Sequence, residues 1–410
     1  MMFIIIHFYS GGDRPYTVSV GHATSDIEPA SAGARASALA GMAALAVAMG
    51  IGRFAFTPIL PMMQEDFGLS VAGGGWLATA NYVGYLVGSL SAIGMRIRPS
   101  AAIRAGLLVI GVSTAAMGLE HRFALWIVLR AIAGVASAWA LIFISAWALE
   151  RLALLGRSNL SGTVYSGVGV GILGAGGACL ALMSLHAGSA DAWLALGVIS
   201  IAVTAAIWPL VKAGPSSNAP PAIAPPDFWS PDFRRLVLCY GAFGFGYIIP
   251  GTFLPAMAKK IVEDPLLFGW AWPVFGAAAA VSTIFAVRLK RAVSHRAVWI
   301  GGHLVMALGI VVPLVVPGLS GIMTGALLVG GTFMVVTMAG LEEARRVAGP
   351  HARALMAAMT SAFALGQILG PVIVSLLIPS TGGFAPALIL AASVLVLSAF
   401  LLQRRGAERE

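Results

Sequence analysis

The sequence predicts an all-α membrane protein of twelve transmembrane helices arranged as two six-helix parallel-repeat halves. Three observations predict it: composition, the length of the apolar runs and an internal repeat. Of 410 residues, 59% are hydrophobic and only 10% are Asp, Glu, Lys or Arg, whereas a soluble domain carries about a quarter charged. The apolar runs are long enough to cross a hydrocarbon layer of ~30 Å at ~1.5 Å per helical residue. Lipid offers no partner to a backbone amide, so only helices and closed barrels span it, and these runs lack the alternation of barrel strands.

Apolar windows bounded by turn residues place spans near 37–62, 72–95, 101–119, 123–149, 158–184, 191–212, 233–258, 267–288, 296–316, 318–341, 350–378 and 383–402. The stretch from Lys212 to Asp232 holds six prolines with Gly and Ser, and proline cannot donate to a helix ladder. It divides the chain into a half at 35–212, a cytoplasmic linker at 213–232 and a half at 233–402. Residues 403–410 form a short cytoplasmic tail. Residues 3–9 are apolar but too short to span, and no Lys or Arg precedes them as in a secretory signal. Residues 1–34 therefore read as a disordered cytoplasmic tail, or as a start set too far upstream.

The charges fix the orientation. With both termini inside, twenty of the 25 Lys and Arg residues fall in cytoplasmic segments, three in outer loops (Arg122, Lys259, Lys260) and two within spans. That asymmetry is the positive-inside pattern of a multi-pass protein of a bacterial cytoplasmic (inner) membrane, and one missed span would scramble it. The net charge of +9 thus has a topological cause and calls for no nucleic acid. Cys179 and Cys239 both lie inside spans and read as small apolar packing residues.

The repeat comes next. Gly50, Gly52, Arg53 and Leu60-Pro61 in the first span recur as Gly244, Gly246, Tyr247 and Leu254-Pro255 in the seventh, at an offset of 194 in every case. Gly75-Trp76 matches Gly269-Trp270 at the same offset, and Ile172-Leu173-Gly174 matches Ile368-Leu369-Gly370 at 196. Two parallel repeats joined by a cytoplasmic linker is a carrier arrangement, with the solute held between the halves near mid-membrane.

The runs Met49-Gly-Ile-Gly-Arg53-Phe-Ala-Phe-Thr-Pro-Ile-Leu-Pro61-Met-Met63 and Gly75-Trp76-Leu-Ala-Thr-Ala-Asn81-Tyr82-Val-Gly84-Tyr85-Leu-Val-Gly88 resemble the YbfB/YjiJ-type branch of the major facilitator superfamily. The resemblance implies that superfamily's fold and a transport function. Arg130-Ala-Ile-Ala-Gly134 resembles its fourth-span Arg-x-x-x-Gly element. The loop after the second span, by contrast, has no acid between Gly88 and Arg98 where the superfamily usually carries an Asp. The fifth span is rich in glycine but lacks the proline of the antiporter motif.

Arg53 and Arg130 fall within spans, in the outer half of the bilayer, and no Asp or Glu lies in the interior of any span. A cation at mid-span costs about 2.5–3.5 kcal/mol and demands a compensating role. One reading is that the guanidinium groups face a central cavity and hold a carboxylate, phosphate or sulfonate through paired hydrogen bonds. The other is that each donates to backbone carbonyls freed near Gly50, Gly52, Pro58 or Pro61. Asn81, Tyr82 and Tyr85 in the second span, Tyr247 at the repeat position of Arg53, and Gln367 in the eleventh span either line that cavity or join helices. Trp139 and Trp270 stack on a solute or anchor at the interface. Gly167, Gly171 and Gly174 read as a close-packing face.

The expected function is secondary active transport of a small organic solute, of anionic character, by alternating access. The expected partners are that solute, the bilayer and, as an option, a coupling proton, with the carrier acting as a monomer. His303 is the only histidine placed for a proton relay, and helix packing explains it more simply; Asp66, Glu150 and Glu342 near span ends are alternatives. No nucleotide-binding loop, metal-ligand spacing or His-Glu-x-x-His occurs, so neither a cofactor nor an intramembrane enzyme is expected. Efflux of hydrophobic compounds is the rival within transport, and a non-transporting solute sensor the rival outside it.

Overall fold

Helices begin where the sequence supplies caps. Ser70 Oγ accepts from the Gly73 N–H at 3.0 Å, and Ser294 Oγ from the Ala297 N–H at 3.2 Å; each satisfies an amide that a first turn leaves without an intrahelical acceptor. Pro99 opens another helix at its first position, where the missing N–H costs nothing. A computed structural model describes residues 27–212, 229–259, 270–289, 292–381 and 385–403. Among these residues every regular element is helical. In order they are α1 (Ile27–Leu45), a π-helical turn (Ala46–Ile51), α2 (Phe56–Phe67), α3 (Val71–Gly94), α4 (Pro99–Leu119), α5 (Phe123–Leu154), α6 (Ser161–Ser184) and α7 (Ser189–Ile207). Then follow α8 (Pro231–Lys259), α9 (Ala271–Leu289), α10 (His295–Val315), α11 (Leu319–Ala348), α12 (Ala352–Thr381) and α13 (Ala385–Gln403).

Among the described residues eight stretches are long and apolar enough to cross a membrane by length and composition, and one of them, Leu319–Ile373, runs through α11 into α12. Each expected span overlaps a helix, but the first is not one rod: it comprises α1, the π turn and α2. Helix α1 begins at Ile27, so residues 27–34, assigned from the sequence to the tail, are helical. The tail before residue 27, linker residues 213–228, residues 404–410 and Gly269 of the repeat lie outside the described residues.

Helices α1–α7 and α8–α13 pack alike. In the first set α1 lies on α6, α3 on α5, and α4 on both α5 and α7; in the second α8 lies on α12, α9 on α11, and α10 on both α11 and α13. Across the middle, α6 meets α9 and α3 meets α12. The α6–α9 crossing is made by backbone. A Cβ built on Gly276 would stand 2.5 Å from the Leu173 amide nitrogen and 2.8 Å from the Gly169 carbonyl oxygen, so only the absence of a side chain permits the approach. On another face of α6, Gly167 abuts the backbone of Met42 and Gly171 that of Ala46. Gly174 corrects the sequence reading: a Cβ built on it would meet nothing within 4 Å, because the close approach ends at Gly171, opposite the start of the π turn.

Candidate functional site

The site forms where the first span breaks. From Ala46 to Ile51 the chain widens into a π turn, with the Gly52 N–H bonded to the Val47 carbonyl at 2.9 Å and the Phe54 N–H to the Met49 carbonyl at 3.0 Å. Pro58 and Pro61 follow within a few residues and cannot donate to the ladder. Such turns recur at functional positions because they leave backbone groups to be satisfied from elsewhere. Here side chains of other helices reach those groups.

Arg130, on α5, donates through Nη1 to the Gly52 carbonyl at 3.4 Å and through Nη2 to the Arg53 carbonyl at 3.3 Å. Its guanidinium also lies 4.9 Å from the centre of the Phe56 ring. Asn81, on α3, donates Nδ2 to the Arg130 carbonyl at 3.0 Å and to the Gly52 carbonyl at 3.5 Å. Ser137 Oγ donates to the Ala48 carbonyl at 2.7 Å. These three side chains tie α3 and α5 to the broken span. Of the two uses open to Arg130 in the sequence, its hydrogen bonds are those of the backbone-satisfying one.

Arg53 is placed differently. Its Nη2 donates to Gln367 Oε1 on α12, a bond that joins α12 to the break between α1 and α2. Both side chains are buried, Arg53 4% exposed and Gln367 0%. The Tyr85 ring lies 3.9 Å from the guanidinium carbon, with Tyr82 at 5.5 Å. Arg53 Nε and Nη1 and Gln367 Nε2 are buried donors without a hydrogen-bond acceptor. A buried cation whose side-chain neighbours are a neutral amide and neutral rings is costly, and buried donors are normally paired.

Aromatic rings fill the space beside it. The Tyr247 ring stacks on Phe333 at 4.2 Å between centroids, and Phe363 lies 5.8 Å from the Arg53 guanidinium. Phe54 contacts the guanidinium at 5.6 Å, the Phe333 ring at 5.8 Å and the Trp272 ring at 6.2 Å. Of the seven residues singled out from sequence, Arg53, Tyr82, Tyr85 and Gln367 converge directly, Tyr247 joins them through the rings, and Asn81 and Arg130 brace the break beneath. Sequence reasoning missed Phe54, Phe333, Phe363 and Trp272. Phe363 carried a signal, since it precedes Gln367 by one helical turn and shares its face.

Other candidates are occupied elsewhere. His303 Nε2 accepts from Trp299 Nε1 at 2.9 Å within α10, a packing contact. Asp66 accepts from the Ser189 N–H and Oγ at 2.5 and 2.6 Å, capping α7. Trp139 donates to Ser91 Oγ at 2.8 Å, while Trp270 is 59% exposed at the head of α9. Glu342 pairs with His295 at 3.2 Å. Both line a cavity of about 330 Å³ between the helix ends near Asn159 and Arg345, whose lining includes none of the residues of the break. Among the described residues no three His, Cys, Asp or Glu side chains gather as metal ligands.

Residues 45–403 match a family model described as an uncharacterised MFS-type transporter YbfB, where MFS denotes the major facilitator superfamily. No curated protein matches the chain.

Proposed function

Because the chain belongs to this family of MFS-type transporters, a multi-pass membrane transporter, we propose that it is a secondary carrier moving a small organic anion across the cytoplasmic membrane. Alternating access between two six-helix halves, with both termini cytoplasmic, is the mechanism of this proposal. The repeated helix packing and the backbone crossing of α6 and α9 support the two-half division.

The observation that carries the anion is Arg53. It sits on the break, spans the boundary between the halves, and retains Nε and Nη1 as buried donors with no acceptor. A carboxylate, phosphate or sulfonate would supply both the acceptor atoms and the counter-charge. A neutral hydrophobic solute would supply neither, which weighs against drug-like efflux. The solute displaces the Gln367 amide from the guanidinium and occupies the boundary, so that binding acts where the halves must move apart. Coupling by a proton carried on the solute fits a site with no carboxylate of its own.

The test is counterflow in proteoliposomes with Arg53→Gln. Exchange of an anionic solute is expected to fall to background while the purified variant keeps its elution profile and melting temperature. Undiminished exchange would remove Arg53 from the solute site.

A further inference from the structure

Resting on the two-half reading above, we infer that the face of α12 from Arg353 to Gln367 is a releasable seam between the halves, latched at one end by the guanidinium of Arg353 on the ring of Phe143. Three contacts mark the seam. In the first turn of α12 the Arg353 guanidinium carbon lies 5.3 Å from the centre of the Phe143 ring on α5. Two turns further on, Ser361 Oγ donates to Ser89 Oγ on α3 at 2.9 Å. Gln367 then meets Arg53. At ~1.5 Å per residue the three positions cover about 21 Å of α12.

The contacts of Arg353 and Ser361 can part without stranding a buried polar group. Ser89 Oγ donates to the Leu86 carbonyl of its own helix at 2.9 Å, and Ser361 Oγ also reaches the Ala357 carbonyl at 2.9 Å. A hydroxyl carries one proton, so Ser361 can exchange the bridging bond for the one within α12, and neither serine loses its partner. Phe143 is fully buried and apolar, while Arg353 is only half-buried. Its long side chain can turn the charged head to water when the ring withdraws.

Helices of the second half hold one another by a different chemistry. Arg296 on α10 pairs with Asp232 on α8 and, at 2.6 Å, with Glu343 on α11, and His295 on α10 pairs with Glu342 on α11 at 3.2 Å. Breaking a poorly solvated ion pair leaves a charge uncompensated. Those firm links join α8, α10 and α11 to one another, whereas α12 meets α3 and α5 through a hydroxyl pair and a cation on a ring. A guanidinium within about 6 Å of a ring centre is held strongly enough to bias a conformational equilibrium and weakly enough to let it cycle.

The experiment measures spin-label distances between Asn159 and Arg345, which line the cavity at the helix ends, in the full chain in proteoliposomes. Phe143 is replaced by phenylalanines of rising fluorine content, which weakens the attraction of the ring face for a cation with little change of shape. The population at longer distance is expected to rise stepwise, by about 3- to 30-fold in all. Arg353→Gln should reach the same end point, and fluorination in that background should add nothing; Arg353→Lys, which keeps a cation, should stay within about threefold of the original. Ser361→Ala should raise the same population about 2- to 10-fold with little change in melting temperature. Distances unmoved by fluorination, or moved equally in the Arg353→Gln background, overturn the latch. If Gly276→Ala brings out the longer distance and fluorination does not, two moving halves stand without this seam; one distance in every variant overturns both.

Discussion

The glycine crossing between α6 and α9 gives the two-half arrangement its sharpest test. In Gly276→Ala the new methyl would begin 2.5 Å from the Leu173 nitrogen and 2.8 Å from the Gly169 oxygen, against ordinary contacts of 3.4–4 Å. Both obstacles are backbone, so no rotamer relieves them and the helices must separate by about 1 Å. Overpacking of this kind costs about 1–3 kcal/mol. If α6 and α9 belong to separate moving halves, as proposed, the cost falls on the conformation in which they touch. At ~1.4 kcal/mol per factor of ten, its population should drop about 5- to 150-fold relative to conformations in which they part. Spin labels at Asn159 and Arg345, which both line the cavity between the helix ends, would report that shift as a change in the distance distribution. Gly174→Ala on α6 is the control, since its Cβ meets open space. If the two variants give the same distances and exchange rates, the crossing does not control the halves.

Two further outcomes concern the break itself. Arg130→Lys keeps the charge but replaces a planar fork with a single ammonium, which cannot serve the Gly52 and Arg53 carbonyls in the same geometry. A loss of about 1–2 kcal/mol is expected, read as a lower melting temperature, with the solute's half-saturation little changed; a large rise in half-saturation would place Arg130 at the solute instead. Gln367→Glu should convert the inter-half hydrogen bond into an ion pair, slowing exchange about tenfold or more while raising the melting temperature, and unaltered exchange would show that this bond does not open during the cycle.

The two arginines were visible in the sequence because a charge in an apolar run needs a reason. What separates them was not visible. Arg130 meets carbonyls only because the first span leaves α-helical geometry at Ala46, and Gly50, Gly52, Pro58 and Pro61 hinted at weakness there without saying where the π turn would fall. The repeat did point to Tyr247 as the counterpart of Arg53, and it lies in the ring cluster, as expected of matching positions on two similar units. Phe333 gave no warning: a phenylalanine in a membrane span looks the same whether it faces lipid, a neighbouring helix or a solute. Gly174 misled because its spacing from Gly167 and Gly171 fits one face, while the partner helix has already turned away. Periodicity identifies a face but not how far the neighbour follows it.

The partner chosen for Arg53 bears on how such a carrier avoids trapping itself. An acid at position 367 would neutralise the guanidinium, and a desolvated pair of that kind resists separation because breaking it strands a charge in low dielectric. The halves would then be held together with or without solute. An amide makes one bond through Oε1 and leaves Nε2 without an acceptor, so the link is weaker than an ion pair and the empty site remains short of acceptors. On the proposed reading a carboxylate arriving there would relieve both defects: it would take the guanidinium as counter-ion and offer its second oxygen to the freed amide. The stabilisation gained is thus greatest for the loaded site at the boundary of the halves. An interaction can shift a conformational equilibrium only by its difference between states, and under the proposed anion reading a cation left with a neutral partner would make that difference large.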